Sequence, residues 1–216
     1  MPHDLPLETV ASCITRRRLH LILLPTEACN FRCVYCYETF RQKRMSPEVV
    51  AALKRLIRRR IPALDDLELS WFGGEPLLAR DIIEDVLLDV REHARNNPNV
   101  RVRSDATTNA YLLTAEVFRR LLALGLESYQ ISFDGPREHH DRKRVLAGGK
   151  GTFDRIWGNV TAMSREPGRF HVLVRVHVDR ENEAAMPEFI EMYRAAFGTD
   201  PRFELFLRPL SRLGGP

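Results

Sequence analysis

The sequence predicts an α/β fold built as an incomplete, TIM-type (β/α)6 barrel. Short apolar runs alternate with runs of helical period along the chain, six of the short runs read as strands, and several of these alternate polar with apolar residues. Parallel strands covered on both faces are apolar throughout, so alternation means that one face looks onto something polar. A closed eight-stranded barrel fills its interior with branched apolar side chains, so polar inward faces favour an open barrel with an accessible lumen. The competing reading is a sheet covered on one side only, with its polar face in solvent.

The strands are expected at 19–25 (LHLILLP), 66–72 (DLELSWF), 100–108 (VRVRSDATT), 128–134 (SYQISFD), 170–178 (FHVLVRVHV) and 203–209 (FELFLRP). In the fifth, Phe170, Val172, Val174, Val176 and Val178 share one face while His171, Arg175 and His177 share the other. The fourth sets Tyr129, Ile131 and Phe133 against Gln130, Ser132 and Asp134, and the third sets Val100 and Val102 against Arg101, Arg103 and Asp105.

The first helix opens on Ser46 as N-cap with Pro47 behind it, and carries Val49, Val50, Leu53, Leu56 and Ile57 on one face. The second carries Ile82, Ile83, Val86, Leu87 and Val90, and the third starts at Thr114 and stops at Gly125. Phe153, Ile156, Trp157 and Val160 mark a fourth; Phe189, Ile190 and Tyr193 mark a fifth that ends at Gly198. His139 and His140 read as loop residues. His177 reads as structural, with proton transfer in the lumen as the alternative.

The chain of 216 residues is long enough for one domain with a full core. Residues 1–18 read as a lead-in and 19–216 as the domain. With 33 Lys and Arg against 29 Asp and Glu the formal charge is +4, and the runs Arg16–Arg18 and Arg58–Arg60 read as solvated faces and helix C-termini. No basic patch with interleaved aromatics supports a nucleic-acid partner. No apolar stretch suits a membrane span and no signal peptide opens the chain, so it reads as cytoplasmic.

In a reducing compartment clustered cysteines are metal ligands or catalytic groups more often than disulfides. Three of the four cysteines, Cys29, Cys33 and Cys36, fall in CNFRCVYC; Cys13 reads as a buried or free thiol. Structural zinc wants four protein ligands, and three thiols are one short. A four-iron cluster held by three thiolates leaves one iron open to a substrate or cosubstrate. The loop follows the first strand, on the face where βα barrels place their chemistry.

The C-x3-C-x2-C spacing, the aromatic before its third cysteine, the WFGGEPLL segment after the second strand and the ISFDGPREHHDRKR segment at the fourth resemble the radical S-adenosylmethionine (SAM) enzymes. Within them the likeness is to the peptide- and protein-modifying branch associated with SPASM domains, the maturases of sulfatases and of ribosomally made peptides. The resemblance implies that Cys29, Cys33 and Cys36 hold three irons of a 4Fe-4S cluster whose fourth iron is chelated by SAM. It further implies that Tyr35 lies near the adenine, that Gly73 and Gly74 let backbone approach the methionyl ammonium with Glu75 assisting, and that Pro76 stiffens the turn. Ser132 would contact the carboxylate or ribose, Arg144 would pair with the carboxylate, and Asn109 and Arg175 would line the ribose and substrate side; Asp134 would orient a neighbour. A guanidinium fork suits a carboxylate through two parallel hydrogen bonds.

Residue by residue, bland readings compete: GGEP as an ordinary turn, Arg144 as one more surface charge. For the whole, the rivals are a zinc or iron-sulfur interaction module and a radical enzyme acting on RNA or a small molecule. The implied activity is reductive cleavage of SAM and hydrogen abstraction from a peptide or protein by the 5'-deoxyadenosyl radical. A reductase or electron donor such as flavodoxin or ferredoxin would be the partner. Relatives in this branch continue into a cysteine-rich region after the sixth strand, whereas no cysteine follows Cys36. The sequence therefore reads as a catalytic core without a C-terminal SPASM segment.

Overall fold

The structure is a computed structural model that describes residues 15–41 and 43–210. The expectation for Cys13 lies outside the described residues. Six parallel strands form one sheet in sequential order: β1 Arg18–Thr26, β2 Asp66–Gly73, β3 Arg101–Thr108, β4 Ser128–Phe133, β5 His171–Val178 and β6 Phe203–Pro209. β1 and β6 do not pair, so the barrel is open, as expected. Each strand lies within about one residue of its predicted bounds, which is the resolution that period-2 patterning allows.

The crossovers carry α1 Pro47–Arg60, α2 Arg80–Arg95, α3 Ala115–Ala123, α4 Arg137–Lys143, α5 Phe153–Ser164 and α6 Met186–Phe197. Right-handed crossovers between sequential strands put the helices on the same side of the sheet. That side receives the apolar half of each strand: Leu67, Leu69 and Trp71, then Tyr129, Ile131 and Phe133, then Val172, Val174 and Val176 are all buried. Each such side chain contributes roughly 1.5–3 kcal/mol by leaving water. Local signals set the helix ends: Ser46 Oγ accepts from Val49 N at 3.4 Å and Thr114 Oγ1 from Val117 N at 3.3 Å. Arg58, Arg59 and Arg60 occupy the last turn of α1, where cations complement the helix dipole. Among the described residues no helix is long and apolar enough to cross a membrane.

The polar half of each strand faces the lumen. Ile22 and Leu24 of β1 are 65% and 40% exposed on this side, so the chamber is accessible near the open edge. Toward β4 it closes, and Ser132 and Asp134 are buried. These polar residues therefore line a pocket, and a sheet with its polar face in free solvent is excluded at this end.

One local expectation needs correction. His139 and His140, expected in a loop, lie instead in α4. Its pattern is short and charged, without an apolar stripe to reveal it, and it is held by packing around His140. That ring is fully buried, in tilted or edge contact with Phe133 and Phe153, with Nε2 3.0 Å from Thr152 Oγ1. Burial, assisted by the Arg144 charge, pushes its pKa down from 6.5 to about 3. The unfolded chain then takes up a proton that the folded chain refuses. Stability from this group is complete above about pH 6.5 and is lost as the pH falls toward 3, at up to about 1.4 kcal/mol per pH unit. Urea unfolding between about pH 4 and about pH 7 should show this slope, and His140→Gln should flatten it; an unchanged slope would refute the assignment.

Candidate active site

The three cysteines sit in the loop after β1, pinned from two directions. On one side the segment after α4 pairs with it: Arg32 N donates to Val145 O at 2.8 Å, Val34 N to Lys143 O at 3.0 Å and Ala147 N to Asn30 O at 2.8 Å. On the other the turn after β2 abuts it, with Gly74 N donating to Thr26 O at 3.3 Å and Glu75 N to Ala28 O at 2.9 Å. The loop thus has neighbours on both flanks that fix where its thiols point.

Gly73 adopts φ +113°, and a Cβ there would stand 2.3 Å from Thr26 O; at Gly74 it would stand 2.2 Å from Glu27 O. Both glycines are required by the close approach of the cysteine loop. Gly74→Ala should displace that loop, lower stability by about 1–3 kcal/mol and reduce iron uptake on anaerobic reconstitution. Normal iron content with an unchanged melting temperature would show that the loop tolerates the methyl group.

Glu75 is fully buried and turned into the protein. Its Oε1 accepts from Leu77 N at 3.0 Å and from Thr108 Oγ1 at 2.7 Å, and its Oε2 from Asn109 N at 2.7 Å. Burial pushes the carboxyl pKa up, against these donors and the Arg144 charge. Pro76 opens the 3-10 turn Pro76–Ala79, which Glu75 caps. Asn109 reaches Asn30 Oδ1 at 2.8 Å and lies 3.9 Å from Cys29 Sγ. Ala110, next in line, has φ 58°, a conformation uncommon without glycine, held by Thr108 Oγ1 and by Asn159 Nδ2 on its carbonyl.

Across the cavity Tyr35, Asp134, Arg144 and His177 form one network. The Tyr35 hydroxyl donates to Asp134 Oδ1 at 2.9 Å and accepts from Arg144 Nη1 at 3.0 Å; His177 Nδ1 lies 3.2 Å from the same Asp134 oxygen. Arg144 is 7% exposed, which excludes the surface-charge reading. Burial opposes its charge, but Tyr35, Cys33 and Asp134 outweigh that and hold its pKa above the arginine norm. Burial likewise pushes Asp134 up, and the His177 hydrogen bond and the Arg144 charge bring it below the carboxylate norm. Arg144 Nε and Asp134 Oδ2 are buried without partners among the described residues.

A cavity of about 150 Å³ joins these parts, lined among others by Cys29, Cys33, Tyr35, Cys36, Gly73, Gly74, Asn109, Ser132 and Arg144. Glu75 and Pro76 stand behind its wall, and Arg175 lies to one side, on β5 opposite Ser132 in register. A larger concavity of about 990 Å³ lies outside the barrel between α1 and α2, rimmed by Lys54, Arg58, Asp81 and Asp85. It holds none of the cysteines, and ion pairs such as Lys54–Asp85 already occupy its charges.

Burial pushes the Cys29 thiol up to about 11 and raises Cys33 as well. Both are therefore protonated until a cation displaces the proton. Among the described residues no three His, Cys, Asp or Glu side chains converge where a single metal ion could sit. Zinc needs such a point, whereas a cluster with one thiolate per iron does not. Three free thiols, two flush glycines and a buried guanidinium whose Nε has no partner among the described residues together fit a cluster with a carboxylate-bearing ligand beside it.

Thr108, Asn159 and Asn30 are parts of this site that the motifs do not mark, whereas His177 was placed on the lumen face of β5 by strand parity. The TTNA run placed Thr108 beside a candidate; nothing local marks Asn159 or Asn30.

An open parallel barrel with a three-thiol loop at the C-terminal end of its first strand defines a class of metallocluster enzymes. The chain belongs to the radical SAM superfamily, whose model matches residues 23–193. The family's cofactors are a 4Fe-4S cluster and SAM. The cysteine-type anaerobic sulfatase-maturating enzyme of Clostridium novyi is 24% identical over 208 residues, 93% of this chain and 54% of that protein. The Fe-coproporphyrin III synthase of Methanosarcina barkeri is 25% identical over 167 residues, 77% of this chain and 39% of that protein. Among solved structures, anSMEcpe with bound AdoMet and a Kp18Cys peptide superposes with a TM-score of 0.72 at 22% identity, covering 91% of this chain and 52% of that one. Streptococcus suis SuiB bound to S-adenosylmethionine superposes with a TM-score of 0.66 at 15% identity, covering 97% and 44%. At such identities the superpositions establish the fold, and the chain spans about half the length of these relatives.

Proposed function

We propose that this chain reductively cleaves SAM at a 4Fe-4S cluster and directs the resulting radical to a hydrogen of a peptide or protein substrate. The maturation of a ribosomally made peptide is its setting, in the cytoplasm, with a flavodoxin or ferredoxin as electron donor. The observation that carries the reading is the single cavity onto which Cys29, Cys33, Cys36 and the buried Arg144 open. Support for a peptide substrate comes from the sulfatase-maturating relative and from the peptide-bound anSMEcpe and SuiB structures that share the fold.

In this reading Cys29, Cys33 and Cys36 hold three irons. When bound, cluster and SAM would supply one-electron cleavage of a carbon–sulfur bond. Arg144, held by Tyr35 and by the charge of Asp134, orients the SAM carboxylate with a fork that has no other carboxylate bonded to it. Ser132 and Asn109 line the cavity toward the ribose, with Tyr35 on the adenine side, and Gly73 and Gly74 admit the methionyl ammonium. Glu75 acts on that ammonium through the turn it caps. The closed β4 side of the lumen keeps water from the reacting carbon.

Anaerobic reconstitution with iron and sulfide tests this. A brown cluster chromophore and reductant-dependent 5'-deoxyadenosine are expected, with deuterium carried into that product from a deuterated peptide substrate. Absence of the nucleoside would overturn the reading. A small-molecule substrate is the second reading. The Fe-coproporphyrin III synthase favours it, as does a GTP 3',8-cyclase of Pectobacterium atrosepticum, 31% identical over 128 residues, 58% of this chain and 37% of that protein.

A further inference from the structure

The β5–β6 wall of the lumen carries two arginines that no carboxylate among the described residues pairs with. β5 and β6 pair so that Arg175 stands beside Phe206 and His177 beside Arg208. Period-2 alternation puts Arg175 and Arg208 on the same face as Ser132, His177 and Phe206, which is the lumen face. They are diagonal neighbours across the strand pair, Arg208 standing two residues beyond the partner of Arg175. Among the described residues neither guanidinium makes a hydrogen bond or an ion pair, and Arg175 Nε is buried without a partner.

The contrast with the far side of the lumen is instructive. There Arg18, Arg101 and Arg103 all reach Asp66, and Arg103 also reaches Glu68. On the β5–β6 wall Asp134 is taken by Tyr35 and His177, and Glu204, on the same face of β6, lies 3.2 Å from His171 Nε2, so neither acid is bonded to Arg175 or Arg208. Burial and the Arg208 charge depress the Arg175 pKa, with Tyr35 and Tyr37 acting against them and the Arg144 charge adding to them, so this wall favours an added negative charge. Phe206, 44% exposed between the two arginines, offers an apolar surface for the stem that bears the charge.

We infer that Arg175 and Arg208 form an anion subsite that takes a carboxylate of the substrate, separate from the Arg144 fork assigned to SAM. The inference rests on the peptide reading above. It predicts that a peptide with an acidic side chain or a free C-terminus is held across the lumen by this pair, leaving its neighbouring residue toward the cavity.

The test is binding to the full reconstituted chain with SAM present. The probes are Ac-Ala-Glu-Ala-NH2, Ac-Ala-Gln-Ala with a free C-terminal carboxylate, and the neutral Ac-Ala-Gln-Ala-NH2. At least one charged probe should bind about tenfold or more tightly than the neutral one, and which of them does identifies the side-chain or terminal source. Arg208→Gln should erase that preference while SAM affinity stays within about twofold, and Arg175→Gln should erase it as well. Equal binding of all three probes to the native chain would overturn the subsite whether or not either variant folds. Loss of SAM affinity without change in peptide preference would also overturn it, assigning Arg175 to the ribose. Formation of 5'-deoxyadenosine is scored separately, so failure of the radical reading and failure of the subsite are distinguishable.

Discussion

Cys33→Ala is expected to abolish function while leaving the fold standing. After anaerobic reconstitution its iron content should fall to background, and with it 5'-deoxyadenosine formation. The apo protein should unfold within about 1 kcal/mol of the parent, because exchanging one sulfur for hydrogen in a part-buried loop removes little packing. The loop holds its shape through backbone bonds that the substitution does not touch, from Arg32, Val34 and Cys36 to Val145, Lys143 and Cys33 carbonyls. Full iron content and undiminished nucleoside formation in this variant would refute the ligand assignment. Cys29→Ala should behave alike, with the added loss of the Phe31 N–H bond to Cys29 Sγ at 3.3 Å.

Glu75→Gln is expected to be the most destabilising conservative change in the site. All three groups that reach this carboxylate are donors: Leu77 N, Thr108 Oγ1 and Asn109 N. A carboxylate offers lone pairs to each of them, whereas the amide must turn an NH2 group toward at least one. The loss of a charge-assisted bond and the stranding of a buried donor together cost about 2–4 kcal/mol. For a chain of this size that lowers Tm by roughly 4–16 °C. Iron uptake should fall too, since the turn that Glu75 caps supports Ala28 in the cysteine loop. A thermal melt of the metal-free variant measures the first effect, and a Tm within about 1 °C of the parent would show that the carboxylate does not hold the turn.

These two residues show how differently the site was written into the sequence. The cysteine spacing is local, so the three ligands and the loop that carries them were legible at once. So was the GGEP turn, because two glycines and a proline between an apolar strand and a helix leave few conformations. The need for those glycines was not legible, since it comes from carbonyls of Thr26, Glu27 and Ala28, more than forty positions away. Helix α4 escaped because seven charged and polar residues carry no period, and of its two buried residues, His140 and Lys143, the ring of His140 finds its partners in Phe133 and Phe153. Arg144 carried the right chemistry in an uninformative run of charges; its burial and its bond to Tyr35 arise only when the segment after α4 pairs with the cysteine loop.

The sequence by itself determined the open parallel barrel, the parity of each strand and the thiol loop at the first strand's end. All of these follow from local period, turn chemistry and the handedness of short crossovers. Only the tertiary structure decided which polar groups are paired and which are left with free valences: Glu75 satisfied and turned inward, Asp134 shared by Tyr35 and His177, Arg144 buried with Nε open, Arg175 and Arg208 without an ion pair among the described residues. Pairing depends on which strands become neighbours and in what register. That is set by the packing of the whole sheet, which no single segment encodes.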